Sequence, residues 1–113
     1  MSRCIRQHTD FLKYISKCGH KQRLQCIKHA SPQEIKAILE IVLNTAKGNV
    51  PIDKNKIRKL QPFKQTFHKI ASRKLKRLSS QKKIILQRGG AIVPALLATV
   101  LPYIVSLLNR SDV

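Results

Sequence analysis

Apolar residues recur along most of this chain at separations of three and four, the spacing that places them on one face of an α-helix. The clearest run is Ile35, Ile38, Leu39, Val42 and Leu43. Ser31, Pro32 and Glu34 precede it. They supply a side-chain acceptor at the N-cap, a residue without an amide hydrogen at the first helical position, and the second half of a capping box. Lys47 suits the negative end of that helix, Gly48 is a C-terminal cap, and residues 49–51 form a turn. Upstream, Asp10 is expected to cap a helix over residues 11–18 that Gly19 ends, and a second helix over 21–29 puts Leu24 and Ile27 on one side. Downstream, Asp53 caps a short helix through Leu60, which Pro62 interrupts. Phe63, Phe67, Ile70, Ala71, Leu75 and Leu78 then share a face, with Lys69, Arg73 and Lys76 roughly opposite. Ser79 and Ser80 are expected to break this run before a last helix over residues 81–88. Leu39, at the middle of the best apolar face, is expected to be buried. No alternating pattern of useful length suggests a strand.

Residues 91–108 read AIVPALLATVLPYIVSLL, with no charge. As one helix they would span about 27 Å, marginal against a hydrocarbon core of about 30 Å. Pro94 suits a helix start, whereas Pro102 would kink the interior. Three readings stay open: a transmembrane span, an interfacial or membrane-disturbing segment, or an apolar segment packed within an assembly. Gly89 and Gly90 separate it from what precedes as a flexible junction. The expected fold is all-α, a small bundle of about five short helices followed by an apolar C-terminal helical tail.

Charge divides the same chain into zones. The 113 residues carry 23 Lys and Arg against 5 Asp and Glu, a net charge of +18. Residues 1–53, a mildly basic helical part, hold nine of the cations and four of the acids. Residues 54–88, a densely basic part of the same small domain, hold thirteen cations and no acid. Residues 89–113, the junction and tail, hold one of each. A chain 42% hydrophobic is too apolar for a disordered basic tail, so a small core is expected. At this size the core is marginal, and homo-oligomerisation would support it.

Thirteen cations without counter-charge repel one another, and a polyphosphate relieves that repulsion and releases counterions. The expected partner is double-stranded DNA, held without sequence preference through Lys54, Lys56, Arg58, Lys59, Lys69, Arg73, Lys76 and Arg77. Aromatic residues are 4% of the chain, and Phe63 and Phe67 read as core, which leaves no exposed stacking platform for single strands. The run from Arg73 to Arg77 also fits a nuclear import signal.

The three cysteines, Cys4, Cys18 and Cys26, are odd in number, and residues 1–10 are polar with no apolar run, which points to free thiols in a reducing compartment. Cys18, His20, Cys26 and His29 lie close in sequence, but their spacing is not that of a common zinc site. No metal, cofactor or catalytic group is assigned, and the protein is read as non-enzymatic.

The tract Gln87-Arg88-Gly89-Gly90, followed by Ala91 through Ala98, resembles the C-terminal part of the precursors of adenovirus core protein X, or mu. Gly48-Asn49-Val50-Pro51, a Lys/Arg zone and then Gln87-Arg88-Gly89-Gly90 are similar to small basic proteins of Polinton/Maverick elements and the related adintoviruses. This resemblance implies a virion core protein that condenses double-stranded DNA, located in the virion and the host nucleus. It also implies cleavage by an adenovirus-type cysteine protease after Gly90, with Gln87, Arg88, Gly89, Gly90 and Ala91 forming the site. The tail would then keep the precursor on membrane or capsid through residues 91–108, and cleavage would free the basic part. One departure is plain: the adenovirus peptide is nearly all Arg, whereas residues 10–78 here have periodic apolar faces and should fold. The alternative function is a membrane-active or membrane-anchored viral protein working through its apolar tail, with the cations serving anionic headgroups.

Overall fold

The computed structural model describes residues 3–48, 50, 52–71, 77–86 and 91–111, and among these every regular element is helical. In chain order they are α1 (Arg3–Gln7), α2 (Thr9–Lys17), α3 (His20–Lys28), α4 (Pro32–Ala46), α5 (Lys54–Leu60), a 3-10 turn (Gln61–Phe63), α6 (Lys64–Ala71), α7 (Leu78–Ile85) and α8 (Ile92–Ser111). The all-α expectation holds among the described residues, with seven α-helices before the C-terminal one where about five were expected.

The start of α4 follows its sequence closely. Ser31 Oγ accepts from the Glu34 amide at 3.1 Å, and the Ser31 amide donates to Glu34 Oε1 at 2.9 Å, with Pro32 at the first helical position. At the other end Gly48 adopts φ +75°, the left-handed conformation that stops a helix cheaply only in a residue without a β-carbon. Ile35, Ala37, Ile38, Ile41 and Val42 of α4 are buried. Leu39 and Leu43 are only half-buried, which corrects the expectation for Leu39. The reason is that α4 is covered by α1, α6, α7 and α8, so its inward side is set by where those neighbours lie.

Other boundaries moved. An unforeseen α1 places Ile5 in the core, and α2 begins at Thr9, parted from α1 by His8. Asp10 thus lies inside the first turn of α2, where a carboxylate suits the positive helix end, and is not its cap. Gly19 is the N-cap of α3 and not the stop of α2, whose C-cap is Cys18. Asp53 caps α5 as expected, Oδ1 accepting from the Asn55 amide at 3.2 Å. Pro62 produces the 3-10 turn. Ser79 and Ser80 lie within α7, which starts at Leu78; serine is well tolerated in a first turn, and there it does not break the helix.

The C-terminal segment is where expectation and structure part most. It is one 20-residue helix, but it does not trail from the bundle: α8 packs on α2, α4 and α5. Ile92, Val93, Leu96, Leu97, Val100, Leu101 and Ile104 are buried, a third of the twenty-one buried apolar side chains among the described residues. Buried Thr99 returns its hydroxyl to the Ala95 carbonyl at 2.8 Å. Pro102 cannot donate to the Ala98 carbonyl, yet both residues are exposed, so water reaches that acceptor and the helix runs on. Among the described residues no helix is long and apolar enough to cross a membrane. The radius of gyration, 13.2 Å, matches the ~13 Å of a folded domain this long, consistent with α8 being folded in.

Two cations serve the fold. Arg23 is buried and donates from Nε to the Ile15 carbonyl at 2.7 Å and from Nη2 to the Cys18 carbonyl at 2.8 Å, closing the end of α2. Lys82 Nζ donates to the carbonyl of Lys28, the last residue of α3, at 2.7 Å. Both answer carbonyls at a helix C-terminus, where the intrahelical amide donors run out and the helix dipole favours positive charge.

Candidate nucleic-acid interface

Among the described residues, the basic zone meets solvent most densely on α5. Its sequence, KNKIRKL, starts from the Asp53 cap and anchors itself through buried Leu60. Lys54, Lys56, Arg58 and Lys59 are all exposed. Seven residues of helix span only about 10 Å, so four cations lie within a length comparable to a few phosphates of a duplex. At 100° per residue, Lys54, Arg58 and Lys59 fall along one broad arc, with Lys56 beside the anchoring edge. The one acidic neighbour in sequence, Asp53, is engaged as the cap, and no Asp or Glu occurs from residue 54 through 111.

The other expected contacts are spread more widely. Lys69 is exposed on α6, and Arg77 is exposed at the N-cap of α7. Arg73 and Lys76 lie outside the described residues. The structure therefore gathers four of the eight on one helix, places two on separate helices, and leaves two without description. Lys64, not singled out from sequence, is exposed at the start of α6 directly after the 3-10 turn that links it to α5. Lys82 is a false cognate in this zone, since its ammonium closes α3. Charge density alone could not separate these two lysines, because the separation depends on which carbonyl lies within reach.

The N-terminal helices also expose cations, Arg3, Arg6, Lys13, Lys17, Lys21 and Lys28, alongside one exposed acid, Asp10. Between Lys13 and Lys17 stands Tyr14, 53% exposed, which corrects the reading that the chain offers no exposed aromatic ring. One ring is not a stacking platform, but it is a single planar surface set among cations.

The cysteines are half-buried free thiols. Burial, helped by Glu40, raises the Cys4 thiol above its ordinary pKa against a smaller lowering by Lys36; burial, with Cys18 and Glu34, raises Cys26. Raised thiols are poor nucleophiles and poor ligands at neutral pH. Cys4 Sγ instead donates to the Gln33 carbonyl at 3.2 Å, tying α1 to α4. Among the described residues no three His, Cys, Asp or Glu side chains gather as a metal site would require. Of the expected cleavage residues, Gln87, Arg88, Gly89 and Gly90 lie outside the described residues, and Ala91 is half-buried in the turn before α8. Comparison with protein families, characterised proteins and solved structures finds no match for the chain.

Proposed function

We propose that the protein binds double-stranded DNA through its phosphates, without reading bases, and condenses it as a core component of a virion. The observation that carries this reading is α5: four exposed cations on seven residues, with no acidic side chain in the rest of the basic zone. Lysine ammonium groups act as mobile point charges, which suits phosphates of any sequence. Condensation needs more than one point of contact, and the exposed cations of α1 to α3 support this reading by adding positive charge outside α5. Processing after Gly90 belongs to the proposal in altered form. Because the apolar side chains of α8 are packed on α2, α4 and α5, a cut before Ala91 leaves a two-chain domain rather than a freed basic part.

The test is the salt dependence of binding to labelled duplexes of unrelated sequence. About eight phosphate contacts give a slope of log K against log salt near −7. Replacing Lys54, Lys56, Arg58 and Lys59 together by Gln should make that slope shallower by about 3–4 and weaken every duplex alike. A wild-type slope shallower than about −2, or strong preference for one duplex, removes the proposal.

A further inference from the structure

The edge of α5 between its anchoring Leu60 and Lys54 is not sealed. Ile57 is 42% exposed, and it lines a groove of about 610 Å³ between the end of α4, residues 50 and 52, α5 and α6. Val50, Ile52, Ile57, Leu60 and Phe67 are its apolar lining. Lys47 and Lys64, both exposed, stand among its lining residues with His68, and none of the described lining residues is acidic. An apolar lining edged by cations selects an occupant with the opposite pattern: apolar side chains in a row, flanked by carboxylates. The volume lies in the range of pockets that hold ligands, and helical walls suit a helix seated through apolar residues at three- and four-residue spacing.

We propose that this groove docks an acidic amphipathic helix of a partner protein. A second copy of this chain is a poor occupant, since two molecules of net charge +18 repel each other. A lipid surface is flat and does not enter a concave groove between helices. An acidic helix gains at both levels: its anchors bury Ile57, and its carboxylates lie near Lys47 and Lys64 in a strongly positive field that speeds encounter. At 100° per residue Arg58 and Lys59 point 100° or more away from Ile57, so a duplex held by those two cations leaves the anchoring atoms of the groove free.

The experiment uses the full chain and a fluorescein-labelled synthetic peptide with Leu at helical i, i+3, i+4 and i+7 spacing and Glu on the flanks. Two control peptides are used, one of the same composition in scrambled order and one with every Glu replaced by Gln. Anisotropy titration should show the amphipathic peptide binding at least about tenfold more tightly than either, a difference of about 1.4 kcal/mol. Ile57→Ser, at an exposed position, should melt within a few degrees of wild type and abolish that preference, and Lys64→Gln should weaken it. Lys36→Gln, an exposed change on α4, should not. Duplex binding by Ile57→Ser should match wild type, which keeps this result separate from the DNA-binding one. Equal binding of the scrambled peptide overturns the proposal, because only charge would then matter. So does unchanged peptide binding by Ile57→Ser, or Ile57-dependent capture of phosphatidylserine vesicles without a preference among the peptides.

Discussion

Deleting residues 91–113 would test whether α8 is core or appendage. Seven fully or nearly buried apolar side chains leave with it. At about 1.5–3 kcal/mol each, their burial contributes roughly 10–20 kcal/mol as an upper figure, since an unfolded chain already hides part of that surface. The fragment no longer bears the cost of ordering α8, but α2 and α5 lose an element they pack on, and buried Leu12, Ile15 and Leu60 lose cover. A domain of this size has about 5–15 kcal/mol in total, so residues 1–90 should not fold cooperatively. Circular dichroism during heating reads this directly: the full chain should show a sharp transition, and the fragment a shallow decline from reduced helicity. A companion sample, cut between Gly90 and Ala91 but not depleted of the second piece, should elute as one species and separate only in denaturant. A fragment of residues 1–90 that melts cooperatively within a few degrees of the full chain would refute the reasoning and restore the picture of a detachable tail.

Two further perturbations probe the core. Ile38→Ala should cost about 2–5 kcal/mol and lower Tm by roughly 10–20 °C, whereas Leu39→Ala, at a half-buried site, should cost clearly less; equal losses would contradict the orientation of α4. Arg23→Met keeps much of the side-chain volume but strands the Cys18 carbonyl and leaves the Ile15 carbonyl only the weak Cys18 thiol at 3.9 Å, for an expected loss of about 1–3 kcal/mol in chemical denaturation that Arg23→Lys recovers only in part; an unchanged midpoint would mean that water serves those carbonyls equally well.

What the sequence determined by itself was local. Ser31, Pro32 and Glu34 specify the start of α4, Gly48 its end, and Asp53 the start of α5, because each works through hydrogen bonds or backbone angles within a few residues of itself. The exposure of α5 was equally legible, since four cations and one buried leucine on two turns allow few other orientations. Tertiary structure decided the rest. Residues 91–108 carry no charge, and an uncharged helix has no polar face to say which side meets water. Whether such a segment lies in a bilayer, on one or inside its own domain depends on whether complementary apolar faces exist elsewhere in the chain. Here α2, α4 and α5 provide them. The same holds for single side chains: nothing in the sequence sets Arg23 and Lys82 apart from the other cations, and they are part of the scaffold because folding brings carbonyls at helix ends within 2.7–2.8 Å of their nitrogens. Burial and long-range hydrogen bonding depend on neighbours distant in the chain, and so they are settled only when the helices pack.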